Sequence, residues 1–121
     1  MRVRCCPNNC TFCSTKSFWG PKSRVHSPKR MIEEIKFLRE EYGFAYFVLY
    51  HDNLLVHKRF LKEFCDLFKK NFAGLHFGIY GSVNFVSEEI IQLLSSSGCY
   101  SIFLGLETIS NNMCKYIPTS V

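Results

Sequence analysis

No stretch of this chain approaches the ~20 consecutive apolar residues that span a bilayer, and no continuous apolar segment follows its two early arginines, Arg2 and Arg4. Those absences argue against a membrane partner and lead us to expect a soluble, cytoplasmic protein. Long runs of one charge are missing too. Fifteen Lys and Arg against ten Asp and Glu leave +5, but no basic run exceeds two residues. Phosphate backbones are bound by positive charge gathered on one face, so the excess gives no evidence for nucleic acid and reads as a solvated surface. A disulfide framework is also lacking, because Cys65, Cys99 and Cys114 each stand alone in an apolar segment, where a thiol behaves as a small buried hydrophobe. What is abundant is large apolar side chains. Apolar residues make up 47%, with twelve Phe and six Tyr, a composition that excludes disorder and gives 121 residues the means to build one domain or part of one.

The apolar residues alternate between two periods. Ser27-Pro28 opens a helix in which Met31, Ile35, Leu38 and Tyr42 share a face until Gly43 stops it. "FAYFVLY" (44–50) follows, a short continuous run of the kind that forms a strand buried on both faces of a parallel sheet. A second apolar stripe of Phe60, Phe64, Leu67 and Phe68 predicts a helix over about 57–72, ended near Gly74, and "LHFGIY" (75–80) predicts the next strand. Ser87 caps a further helix, Glu88 and Glu89 complement its N-terminal dipole, Ile90, Leu93 and Leu94 face inward, and Gly98 ends it. "YSIFLGL" (100–106) is the following strand, and Ser110 opens one more helix. Strand openings near 44, 75 and 100 repeat at the length of a βα step, and "MRVR" supplies a first strand. The expected fold class is therefore α/β with parallel βα repeats. Ligands of such folds bind at the C-terminal ends of the strands. There the sequence carries a cysteine loop, His51-Asp52-Asn53, the segment 81–84, and Gly105-Leu106-Glu107.

The cysteine loop, 5–14, poses the chemical question. Cys6, Cys10 and Cys13 are separated by three and two residues, with Cys5 beside the first. Thiolates in one loop select soft metals, and two chemistries compete: tetrahedral zinc and an iron-sulfur cluster. Closed zinc needs a fourth ligand from Cys5 or His26, but adjacent residues rarely aim at one ion, and His26 lies thirteen residues beyond Cys13. A four-iron cluster held by three thiolates keeps one iron open, the analogue of the vacant position in catalytic zinc sites.

The spacing Cys-x3-Cys-x2-Cys, with Phe12 before the last cysteine, resembles the loop after the first strand of the radical S-adenosylmethionine (SAM) enzymes. The likeness continues in order through "SRVHSP", "EEIKFLREEYG", "HDN", "SEEIIQLLSSSGC" and "IFLGLETIS", and is closest to the branch often joined to a cobalamin-binding domain. This resemblance implies a partial (β/α)6 TIM-like barrel and a 4Fe-4S cluster on Cys6, Cys10 and Cys13, whose open iron chelates the amino and carboxylate groups of SAM. Reduction then cleaves the carbon-sulfur bond to a 5'-deoxyadenosyl radical, with flavodoxin or ferredoxin as the type of electron donor. It further implies that Phe12 lies near the adenine, Asp52 near the methionine amino end, and Glu107 at the ribose hydroxyls, which a carboxylate accepts in charge-assisted bonds. Three positions depart from the branch: Cys5 replaces Gly, His51 replaces the first Asp of an Asp-Asp pair, and Ser82 stands where an Arg is common. The substrate and the reaction outcome are not legible, because the family takes its substrate contacts largely from later strands and appended domains.

Six βα units need about 180 residues at roughly 30 per unit. Residues 1–121 are therefore expected to be the N-terminal part of a SAM-radical domain, truncated after the fourth strand, with any cobalamin domain outside it. Its expected function is to start radical chemistry on an unknown substrate as a fragment of a larger enzyme. The alternatives are a small zinc-binding interaction module and an inactive fragment. A sheet cut at that point is expected to expose an unpaired edge and part of its apolar interior.

Overall fold

The computed structural model describes residues 6, 8, 10–20 and 24–109. The expected first strand (1–4), Cys5, Cys114 and the helix from Ser110 lie outside the described residues. Between them the helices begin where side chains can cap them. Ser27 Oγ accepts the Arg30 N–H (3.3 Å) ahead of Pro28, and helix α2 (Pro28–Tyr42) ends at Gly43 in the left-handed conformation. Ser87 Oγ likewise accepts the Ile90 N–H (3.3 Å) to start α4 (Glu88–Ser95), with Glu88 and Glu89 in its first turn. Helix α3 (Lys58–Asn71) has no side-chain cap. A 3-10 turn, Leu54–Val56, sets its start instead, with His57 donating back to Leu54 and Leu61 to His57. A short helix, α1 (Thr15–Trp19), follows the cysteine loop and had no signal in the periodicity.

Three strands, β1 (Tyr46–Leu49), β2 (His76–Ser82) and β3 (Cys99–Gly105), pair in parallel in chain order. The register runs from Tyr46 opposite His76 to Leu49 opposite Ile79, and from Gly78 opposite Ser101 to Ser82 opposite Gly105. Cys99 already pairs with Phe77, so Tyr100 is one residue too many for the ladder and forms a bulge there.

One face of this sheet carries the core. Phe64 and Phe68 of α3 meet Phe77 of β2 edge to face at 5.3 and 4.7 Å, and Met31, Ile35, Leu49, Leu61, Ile79 and Leu94 are enclosed around them. The α3 stripe is rotated from the expected one. Leu61 and Cys65 are fully buried while Phe60 and Leu67 are half-buried, because the helix leans on β2 and α2 together. Burial pushes the Cys65 thiol up to about 12, so it stays protonated as a small hydrophobe.

The opposite face overturns the reading of 44–50 as a strand covered on both sides. Phe47 and Leu49 are buried, but Tyr46 is 65% and Tyr50 74% exposed. Among the described residues no element packs over that face. Its rings cover one another instead: Tyr46 on Tyr100 and His76, Tyr50 on Tyr80, and Tyr80 on Phe103. Among the described residues no helix is long and apolar enough to cross a membrane.

Since Phe64 is enclosed and Phe37 of α2 is 55% exposed, their truncation should separate cleanly in urea unfolding. Phe64→Ala is expected to lower stability by about 3–5 kcal/mol, and Phe37→Ala by no more than about 0.5 kcal/mol.

Candidate functional site

Parallel pairing puts the C-terminal ends of β1, β2 and β3 on one side, and the chain leaving each end carries polar groups toward the same space. A cavity of about 550 Å3 opens there. Its walls include Cys6, Cys10 and Cys13 from the loop, Asp52 and Asn53 after β1, Gly81 to Asn84 at and beyond the end of β2, and Gly105 to Thr108 at and beyond the end of β3. Phe12 and Glu107 line it as well, so all six residues singled out in the sequence share one cavity.

Each wall has a local cause. Within the loop the Cys13 N–H donates to the Cys10 carbonyl (3.2 Å), closing a tight turn that presents Phe12 and Cys13 outward while Cys6 and Cys10 are half-buried. After β1 the chain passes through Asn53, which is 3% exposed, into the 3-10 turn. That turn lays Leu55 against β2 so closely that a Cβ on Gly81 would overlap the Leu55 side chain, which would have to move to admit it. After β3, Glu107 adopts φ +57°, which costs a non-glycine residue about 1–2 kcal/mol. The turn is held by the Thr108 N–H on the Leu106 carbonyl (2.6 Å), and it folds the carboxylate back over Gly105, where a Cβ would lie 2.9 Å from Oε1. Tyr80 and Phe103, stacked at 4.9 Å, supply an aromatic wall.

Asn53 ties these pieces together. Its Oδ1 accepts the Ser82 N–H (3.3 Å) and its Nδ2–H donates to Cys6 Sγ (3.9 Å). The sequence placed it in a polar triplet at a strand end and no more; its burial and both its partners, 29 and 47 residues away, are tertiary facts. Ser82, where the resembling branch often has Arg, contributes its backbone N–H to this link.

The donor set suits an iron-sulfur cluster. Three thiols from one loop face a common space, thiolates are the ligands such clusters take, and an amide donor already meets one sulfur. Among the described residues no three of His, Cys, Asp and Glu close on a single metal ion, and His26 is not among the residues lining the cavity.

The sequence profile described as the Radical SAM superfamily matches residues 2–120. An uncharacterized methyltransferase of Pyrococcus horikoshii is 28% identical over the whole of this chain and 26% of its own length. A bacteriochlorophyllide d C-8(2)-methyltransferase of Chlorobaculum tepidum is 32% identical over 91% of this chain and 26% of its own. An anaerobic magnesium-protoporphyrin IX monomethyl ester cyclase of Rubrivivax gelatinosus is 30% identical over 87% and 19%. The chain thus spans about a fifth to a quarter of the length of these relatives.

His51, one residue before Asp52, is 6% exposed, and neither ring nitrogen meets a partner among the described residues. Burial drives its pKa from the ordinary 6.5 to about 4 against a smaller raising contribution from its own backbone, with His57 adding slightly to the fall, so the ring is neutral at pH 7. The unfolded chain binds the extra proton first. Stability is therefore full above pH 6.5 and lost as pH falls toward 4, by up to about 3 kcal/mol at 1.36 kcal/mol per unit. Urea midpoints at pH 7 and pH 4.5 should differ accordingly, and His51→Leu should flatten that dependence.

Proposed function

The chain belongs to the radical SAM superfamily, and from that premise we propose that its cavity is where a 4Fe-4S cluster and SAM meet to begin radical chemistry. Cys6, Cys10 and Cys13 would hold the cluster by three irons, leaving the fourth for the sulfonium cofactor. The cluster, when bound, supplies the electron that cleaves the carbon-sulfur bond of SAM. This chain's residues do the rest by position. Phe12 offers an aromatic surface for the adenine, Asp52 a carboxylate for the methionine ammonium, and Glu107 two acceptor oxygens for the ribose hydroxyls. The observation that carries this reading is the convergence of three thiols, Phe12, Asp52 and Glu107 on one cavity of about 550 Å3, a volume within the ~300–1,000 Å3 of small-molecule sites.

The same reading makes the open sheet part of a (β/α)6 barrel. Tyr46, Val48, Tyr80 and Phe103 would then face the barrel interior, closed by further βα units of a larger enzyme. The names of the relatives span methyl transfer and cyclisation. We therefore assign the step common to radical SAM chemistry and leave the substrate open. A reduced flavodoxin or ferredoxin would donate the electron, and cobalamin would enter only through another domain, for methyl transfer.

Anaerobic reconstitution with iron and sulfide should give a brown protein with an electron paramagnetic resonance signal that changes when SAM is added. Cys10→Ala should abolish that signal, and Cys65→Ala should leave it intact. Glu107→Ala should weaken SAM binding about tenfold or more, the loss of charge-assisted hydrogen bonds. A colourless protein holding one zinc ion would sink the reading.

A further inference from the structure

We propose that Asn53 is a positioning residue for the cluster loop, whose side-chain amide donates a hydrogen bond to the Cys6 sulfur and thereby raises the reduction potential of the cluster held there. The inference rests on the proposed function, since it supposes a cluster on Cys6. Its own support is the hydrogen-bond arithmetic of a buried carboxamide. Asn53 is 3% exposed, so both ends of its amide need partners. The Ser82 N–H can only donate, and it lies 3.3 Å from one end of that amide. That end must be the oxygen, so the amide nitrogen necessarily faces Cys6 Sγ, at 3.9 Å.

The Ser82 N–H on Oδ1 fixes the sense of the amide, and Gly81, lacking a Cβ, lets Asn53 and Leu55 come up to β2. The exposed neighbour Asp52 could not take this role, because a carboxylate accepts only and would repel a thiolate. Adding an electron to a cluster raises negative charge on its sulfurs, so a donor aimed at one of them favours the reduced form. Asn53 also joins the end of β1 to the end of β2, holding Cys6 in fixed relation to the strand-end residues opposite.

The test uses the full chain, reconstituted anaerobically with iron and sulfide, as wild type, Asn53→Ala and Asn53→Asp. Asn53→Asp keeps the acceptor for Ser82 and removes the donor to Cys6. In dithionite titrations followed by electron paramagnetic resonance, both variants should shift the reduction equilibrium at least threefold toward the oxidised cluster. At 59 mV per tenfold for one electron that is about 30 mV. Wild-type potentials in loaded variants would overturn the proposal, as would unchanged spectra. Should either variant fail to fold or load, the wild type decides alone. With asparagine labelled by 15N at the side-chain amide, its reduced cluster should show a 15N hyperfine coupling in pulsed measurements, and the lack of any such coupling overturns the donor role. If the wild type binds no cluster at all, it is the proposed function that falls, and this inference with it.

Discussion

Parallel strand pairing is the constraint on which the site depends. Antiparallel strands would send alternate ends to opposite sides of the sheet, whereas β1, β2 and β3, all running one way, deliver Asn53, Ser82 and Glu107 to a single edge. The βα connections that make this possible also place α2, α3 and α4 against the sheet, where the Phe64, Phe68 and Phe77 cluster anchors them. Burial on one face thus determines what can gather at the strand ends.

The uncovered face follows from the same geometry. A parallel sheet is ordinarily buried on both sides. Here the second side presents Tyr46, Tyr50 and Tyr100 at half or more of their full exposure, in ring-on-ring contact. The stacked pair Tyr80 and Phe103 links this face to the cavity.

The cavity itself joins rigid and strained parts. Gly81 lets Leu55 and Asn53 approach β2, and Glu107 holds a left-handed backbone so that its carboxylate returns over Gly105. Among the described residues of the cysteine loop, the Cys13 N–H bonds the Cys10 carbonyl and Asn53 meets Cys6. The three cysteines of the loop therefore lie across the cavity from the strand-end residues.

Much of this was legible in the amino-acid order alone. Ser27-Pro28, Gly43 and Ser87-Glu88-Glu89 delimit α2 and the start of α4 because caps act over three or four residues. The spacing of Cys6, Cys10 and Cys13 marks a soft-metal site because all three thiols sit in one loop, while the choice between zinc and a cluster came from the wider resemblance. Local patterns did not reveal which way a stripe turns or what lies across from it. Leu61 and Cys65 rather than Phe60 and Leu67 are fully buried in α3, and Tyr46 and Tyr50 stand uncovered, because those outcomes depend on neighbours far along the chain. Asn53 is the sharpest case. Its residue type was visible at a strand end, but only the tertiary structure brought Ser82 and Cys6 to the two ends of one amide, since hydrogen bonds reach across space and not along sequence.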